Sequence, residues 1–259
     1  MIVVKLLGGL GNQLFQRAYG LALESRGYEV AFDTSALVEG THREYSLEEY
    51  FDLQLKSPVG QTIYEKSLRF DPQMLVPPDD STLVGYWQSE KYVGDQADCL
   101  RHKFNRHWMF KPLQPHAKEI NAEIYKSNSV FIHVRRQDYV SLQHFHGMPT
   151  IDYYREALRR IKSVSYEPKA FVFSDDPVWC YENFPKDFII VRGTNKHEDL
   201  RLMASCKHAV IANSSFSWWG AWLGDNQLGR MVIAPKNWFA VEKDKADDTD
   251  IVPERWLRI

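Results

Sequence analysis

The segment Val130–Tyr139, VFIHVRRQDY, carries the densest chemistry in the chain: one imidazole, two guanidiniums and a carboxylate directly after an apolar run. Adjacent guanidiniums suit an anion, and the planar donor fork of arginine matches the oxygens of a phosphate. Two more polar clusters follow apolar runs, Asp175-Asp176 after AFVFS and Asn213 to Ser217 after HAVIA. Serine and asparagine at a helix start, where backbone amides lack partners and the helix dipole is positive, can cradle a diphosphate. A single carboxylate can accept both the N1 and N2 hydrogens of guanine, so Asp175 or Asp176 beside such a cradle suits a guanine nucleoside diphosphate. Each cluster also has a structural reading. The arginines could form salt bridges to Asp138 and a neighbour. Asp175 and Asp176 could cap the helix that Pro177 begins, and Asn213, Ser214 and Ser215 could be an N-cap run.

These clusters meet only if strands of one parallel sheet carry them. Alternate residues of a strand share a face, which puts Val130, Ile132 and Val134 on one side and Phe131, His133 and Arg135 on the other. A parallel strand buried on both faces is apolar throughout, so the cations belong at its carboxyl end, the edge where open α/β sheets bind ligands. Arg135 then shares the face of His133, and Arg136 points the opposite way unless the strand ends before it. Strands at 130–136, 170–174, 188–192, 208–212 and 231–234 alternate with helices at 151–163, after Pro177, at 197–206 and after Asn213–Trp219, which makes a doubly wound parallel domain.

The first half opens as strand 2–7, a glycine-rich turn Gly8-Gly9-Leu10-Gly11-Asn12-Gln13, a helix and strand 29–33. Leu14, Ala18, Leu21 and Ala22 share one face of that helix. Such a turn invites a dinucleotide, with Asp33 near the place of a ribose carboxylate, and so an NAD-dependent oxidoreductase is the competing class of enzyme. Leu14 stands where the fingerprint has its third glycine, which favours backbone amides facing some other phosphate or a sugar. Asn12 can cap the helix, bind, or do both. Between 41 and 127 the pattern gives helical fragments around 46–53 and 92–106, a strand near 82–86 and a loop at Pro77–Asp80. Trp87, ahead of Gln88-Ser89-Glu90, is the aromatic best placed to stack on a sugar ring. Pro112 and Pro115 lie near the boundary between a first domain, 1–127, and a second, 128–259.

A chain of 259 residues with 44% hydrophobic and 25% charged side chains has material for two cored domains. The net charge of −2, from 32 basic and 34 acidic residues, argues against nucleic acid as a partner, which needs a basic surface. Any anionic ligand is therefore held locally. Cys99, Cys180 and Cys206 have no metal-binding spacing and are expected to be reduced and buried. With a start that reads as a strand and not a leader, and no run of membrane-spanning length, a cytoplasmic protein is expected, with room for peripheral docking at the inner membrane. The single Asp-x-Asp, Asp248-Thr249-Asp250, sits in an acidic run that reads as a solvated loop. Arginine is thus expected to replace a metal in neutralising a leaving diphosphate, with no cofactor.

GGLGNQLFQ at 8–16, YWQSEKY at 86–92, HVRRQDY at 133–139, FSDD at 173–176, EDLRLM at 198–203 and NSSFSWWGAW at 213–222, with IAPKNWF and PERW beyond, resemble the family 11 glycosyltransferases. Those are α-1,2-fucosyltransferases that use GDP-fucose. The resemblance implies a GT-B-like α/β architecture, two Rossmann-like domains with a donor cleft between them, GDP-fucose mainly on the second and the acceptor in the cleft. It implies inverting, metal-independent transfer of L-fucose to the 2-hydroxyl of a β-galactoside, for a bacterial surface polysaccharide or lipopolysaccharide. Another GDP-deoxysugar or another acceptor is the alternative. By motif position, Arg135 and Arg136 contact the diphosphate, His133 lines the nucleotide pocket and Asp176, then Asp175, reads guanine. Asn213, Ser214, Ser215 and Phe216 close over the phosphates, while Gly11, Asn12 and Gln13 approach from the first domain. Arg135, Asn12 and Asp138 form the catalytic set, with Glu90 and His144 as further candidate bases. The chain departs from the family pattern at Gln137, where glycine is usual, and at Arg17, where an aromatic is usual.

Overall fold

The structure is a computed structural model that describes residues 1–41, 43–47, 51–109, 111–136, 147–225, 228–240 and 246–259. The chain forms two compact units, one of Met1–Met109 with Lys243–Pro253 and one of Phe110–Glu242 with Glu254–Ile259.

The first unit contains β1 (Ile2–Lys5), α1 (Leu10–Ser25), β2 (Val30–Asp33), β3 (Gln61–Tyr64), β4 (Ser81–Val84) and α2 (Ala97–Met109). Its strands form one parallel sheet in the order β2-β1-β4-β3. The apolar runs of β1 and β2 are buried, whereas Gln61, Thr62 and Tyr64 of edge strand β3 are exposed, which is why β3 has no apolar signature. α1 lies tight on the sheet: a Cβ on Gly20 would come within 2.5 Å of Phe32 Cζ. The acidic run near 248 is not the solvated loop expected. Asp248 is 5% exposed, and Asp250 accepts from the Phe70 amide at 2.9 Å and pairs with Lys91. A returning segment is thus anchored to the first unit by the carboxylates that looked soluble. The helical fragment around 46–53 falls partly outside the described residues.

The second unit contains α3 (Pro115–Lys126), β5 (Ser129–Val134), α4 (Ile151–Lys162), β6 (Lys169–Ser174), α5 (Pro177–Asn183), β7 (Ile189–Ile190), α6 (Lys196–Ser205), β8 (His208–Val210), α7 (Ser215–Leu223), β9 (Val232–Ala234) and β10 (Leu257–Arg258). All strands are parallel, in the order β10-β9-β8-β5-β6-β7. Counted from β5 as the first strand this is the 3-2-1-4-5-6 order of the doubly wound Rossmann sheet. The order reverses between β5 and β8, which opens a crevice at their carboxyl ends. Two such parallel α/β units in one chain give the GT-B-like α/β fold class expected.

β5 is buried along its whole length. Val130, Ile132 and Val134 pack with Tyr154, Ala157 and Ile161 of α4, and Phe131 meets Phe173 edge-on at 6.4 Å. α7 packs on α6, where a Cβ on Gly220 would lie 2.9 Å from Met203 Cβ. Trp218, Trp219 and Trp222 are buried and mutually in ring contact, so the tryptophans of NSSFSWWGAW form core. The units divide at 109/110, ahead of the expected 127/128. The reason is α3: Pro115 sits in its first turn, and the Gln114 amide ahead of it donates to Glu198 of α6 at 2.8 Å. Cys180 and Cys206 are buried, but Cys99 is exposed. Among the described residues no helix is long and apolar enough to cross a membrane.

Candidate active site

Strand β5 ends in the switch crevice with Arg135 and Arg136, and both are held by the acids that follow β6. Arg135 Nη1 lies 3.1 Å from Asp175 Oδ2, and the Arg136 amide donates to Asp175 Oδ1 at 2.9 Å. Arg136 Nε donates to Asp176 Oδ2 at 3.1 Å, and its guanidinium sits 4.4 Å above the Trp179 ring of α5. Trp179 packs on the Val130/Ile132/Val134 face, which puts Arg136 on that side, and β5 itself ends at Val134, before either arginine. The pairing with Asp138 considered from sequence, and Asp138, Gln137 and His144 themselves, lie outside the described residues. The two arginine side chains are 29% and 23% exposed. Ion pairs at that exposure add at most about 1 kcal/mol of stability; their consequence is orientation. A guanidinium has five N–H donors, so pairing with one carboxylate is compatible with gripping phosphate.

Asp176 is engaged within the chain. Its Oδ1 accepts from Trp179 N at 3.1 Å as the N-cap of α5, and its Oδ2 holds Arg136. Asp175 likewise bridges Arg135 and the Arg136 amide. With about four lone-pair sites per carboxylate, either acid keeps acceptor capacity for the guanine-reading role expected of it. The geometry makes both of them arginine holders first.

His133 and Phe216 join the two sides of the crevice, with ring centroids 5.7 Å apart. His133 is 6% exposed, and its Nδ1 has no hydrogen-bond partner. Burial, helped by the Arg135 charge, pushes its pKa down to about 3. The imidazole is therefore neutral near pH 7 and offers a hydrogen bond, not a charge. Opposite it, α7 begins at Ser214, whose side chain makes no capping bond, and the first intrahelical bond runs from Trp218 N to Ser214 O at 3.0 Å. Helix geometry leaves the Ser215, Phe216 and Ser217 amides without intrahelical partners, at the positive end of the dipole. The hydroxyl of Ser217 turns back onto Ala212 O and Ser214 O. Asn213 departs from its expected contact role: it is 2% exposed, and Nδ2 donates to Gly147 O at 3.2 Å and Trp238 O at 2.9 Å. It staples the loops beneath the helix start. Arg135, His133, Ser214, Ser215 and Phe216 remain around one crevice, the arrangement of an anion cradle backed by a cation.

In the first unit Gly11 and Asn12 fall in the first turn of α1, whose N-cap is Gly9, so Asn12 is not the cap. Asn12 Oδ1 accepts from Gln88 Nε2 at 2.8 Å, joining the first turn of α1 to the loop after β4. Gln13, expected beside the donor, is fully buried. Its Nε2 donates to Gly8 O at 2.9 Å and Glu44 O at 2.8 Å, and its Oε1 accepts from Ser46 N at 3.0 Å. That amide is consumed in fixing loops. Asp33, the candidate ribose carboxylate, is 4% exposed and takes Ser35 N at 2.9 Å, Ser35 Oγ at 3.0 Å and Lys5 at 3.4 Å. Burial raises its pKa, but the Ser35 bonds and Lys5 outweigh it and the net shift is downward. A carboxylate so engaged is poorly placed for a ribose.

Two positions escaped sequence reasoning. Trp179, the platform for Arg136, follows Asp-Asp-Pro in the first turn of a helix, a signal that could have been read. Arg230 could not have been found: its Nη1 caps the end of α6 through Ala204 O at 3.1 Å and Cys206 O at 2.6 Å, a purely tertiary arrangement.

Comparison with known proteins places this geometry in a family. Residues 76–259 match the model of glycosyl transferase family 11, and the chain belongs to that family. It is similar along its whole length to an α-1,2-colitosyltransferase of Escherichia coli, 34% identical and covering 100% of this chain and 99% of the relative. The O-antigen biosynthesis glycosyltransferase WbnK of Escherichia coli is 38% identical over 44% of this chain and 40% of its own. The galactoside 2-α-L-fucosyltransferase SEC1 of Bos taurus is 30% identical over 38% of this chain and 29% of its own.

Proposed function

We propose that this glycosyltransferase moves L-fucose from GDP-L-fucose to the 2-hydroxyl of a β-galactoside in a bacterial surface glycan, with inversion and without a metal. The observation that carries the reading is the meeting, at the switch point of the second unit, of two carboxylate-held arginines with the uncapped N-terminus of α7. The diphosphate lies against the α7 amides and the Ser214 and Ser215 hydroxyls, with Arg135 opposite. As the bond from the anomeric carbon to the β-phosphate oxygen breaks, its electron pair leaves on the diphosphate, and Arg135 meets the growing negative charge. The acceptor hydroxyl attacks from the other face, its oxygen forms the new bond to the anomeric carbon, and its proton passes to a general base, for which Asp138, Glu90 and His144 are the candidates from sequence. Asp175 positions Arg135; Asp176 and Trp179 position Arg136; Phe216 and neutral His133 exclude water from the phosphates. The engagement of Asp250 with Phe70 N and Lys91 supports arginine, in place of an Asp-x-Asp metal, as the counter-charge.

A second donor has its own support. The full-length likeness to an α-1,2-colitosyltransferase favours a GDP-linked deoxysugar that lacks a hydroxyl present in fucose, in the same α-1,2 linkage. Incubation with GDP-fucose and with GDP-colitose, each with a galactoside panel and EDTA, separates the two. Faster GDP release from GDP-fucose supports the first reading; release from GDP-colitose alone replaces it with the second.

A further inference from the structure

At the carboxyl end of β3 the first unit holds a cavity of about 510 Å³ whose lining includes Tyr64, Glu65, Arg69, Phe70, Trp87 and Tyr92. That is within the ~300–1,000 Å³ of small-molecule sites. Glu65 gives it chemistry. Its Oε2 accepts from Tyr86 N at 2.7 Å and its Oε1 from Trp87 N at 3.1 Å. Gly85 makes this approach feasible, since a Cβ there would lie 2.5 Å from Glu65 Cβ. A carboxylate has about four lone-pair sites, so two amide bonds leave acceptor capacity towards the cavity. Burial pushes this carboxyl up to about 7 in spite of the two amides.

The same grip holds Trp87 at φ 55°. A bulky residue in the left-handed region costs on the order of 1–3 kcal/mol, and strain of this kind gathers at ligand clamps. Trp87 is also 1% exposed with an indole N–H that has no hydrogen-bond partner. Tyr64 stands 67% exposed at the rim. Among the lining charges, Lys66 and Arg69 stand against Glu65 and Asp71, which leaves little net charge to draw an ion. A half-buried acceptor carboxylate beside an exposed ring, in a hollow that mixes aromatic, aliphatic and opposed charged side chains, fits a neutral polyol.

We infer that this cavity is a saccharide subsite, with Glu65 accepting from adjacent ring hydroxyls and Tyr64 covering the apolar face of the sugar. Resting on the proposed function, its occupant is the acceptor glycan. The test uses the full chain with saturating GDP and, as probes, the methyl glycosides of galactose, glucose, N-acetylgalactosamine and N-acetylglucosamine, read by saturation-transfer NMR. Wild type binds at least one glycoside, and Tyr64→Ala and Glu65→Gln each weaken it about tenfold, the loss of a central aromatic or polar anchor, with GDP affinity unchanged. Tyr64 is exposed, so its substitution keeps the test valid if Glu65→Gln loosens the Trp87 turn. No glycoside signal from wild type, or undiminished binding by Tyr64→Ala with GDP bound, overturns the inference and leaves the donor assignment standing. Glycoside binding with no GDP binding does the reverse: it sinks the proposed function and keeps the subsite.

Discussion

Arg135→Ala is the perturbation on which the donor-site reasoning can be worked through most fully. Arg135 meets Asp175 at 3.1 Å with 29% of its side chain exposed, so its deletion should cost the fold no more than about 1 kcal/mol. Asp175 keeps the Arg136 amide at 2.9 Å and is not abandoned in an apolar site. The cost in the transition state is of another order. Loss of one preorganised donor to developing charge removes about 10²–10³ in kcat, or ~3–4 kcal/mol. Arg135→Lys keeps the charge but not the planar fork and should recover only part of that loss. The assay is GDP release from the GDP-sugar with acceptor, alongside the urea midpoint of each variant. The expected result is a kcat lowered by two to three orders of magnitude (~10²–10³) at a nearly unchanged midpoint. Turnover by Arg135→Ala within about threefold of wild type, ~0.7 kcal/mol of barrier, would refute the placement of the leaving diphosphate at the end of β5.

Other perturbations test the scaffold. The pKa of His133 is held down to about 3 by burial and Arg135, against about 6.5 unfolded. The unfolded chain therefore takes up a proton first, and stability should fall as pH drops from about 6.5 towards 3, by up to about 1.4 kcal/mol per unit. In urea titrations at pH 7 and pH 4.5, His133→Gln should flatten that pH dependence; an unchanged difference between the two pH values would contradict it. Asn195 accepts from the His197 and Glu198 amides at 3.0 Å in a complete capping box of α6, so Asn195→Ala should lower the unfolding free energy by about 1 kcal/mol. Gly220→Val drives side-chain atoms onto Met203, whose Cβ lies only 2.9 Å from where a Cβ at position 220 would sit, and should cost about 1–3 kcal/mol by overpacking, read from the same midpoints.

The second unit was legible because its strands are buried on both faces. Apolar runs such as VFIHV and AFVFS announce themselves, and each ends where polarity begins, which put Arg135, Asp175 and Ser214 at one edge on the strength of pattern alone. Two edge strands gave no such signal: Gln61–Tyr64 faces solvent, and Leu257–Arg258 is two residues long. Side-chain commitments were hidden for a different reason. Gln13 and Asn213 have the right chemistry for a ligand, but burial obliges polar groups to find partners, and theirs include backbone groups of Glu44 and Trp238; Asp176 is half-buried and is taken up by capping a helix at Trp179. The anchoring of Asp250 on Phe70 joins residues far apart in sequence, and no local pattern encodes it. Glu65 was missed because a lone glutamate after an exposed edge strand looks like any solvated acid.

The most direct test of the central claim is GDP titrated calorimetrically into the full chain in EDTA, beside Arg135→Ala and Ser214→Ala/Ser215→Ala. The account predicts metal-independent binding by wild type that weakens by about tenfold or more, ~1.4 kcal/mol, in each variant, since charge-assisted bonds are worth about 1.5–3 kcal/mol. Binding that vanishes with EDTA, or that all three proteins share equally, would contradict it.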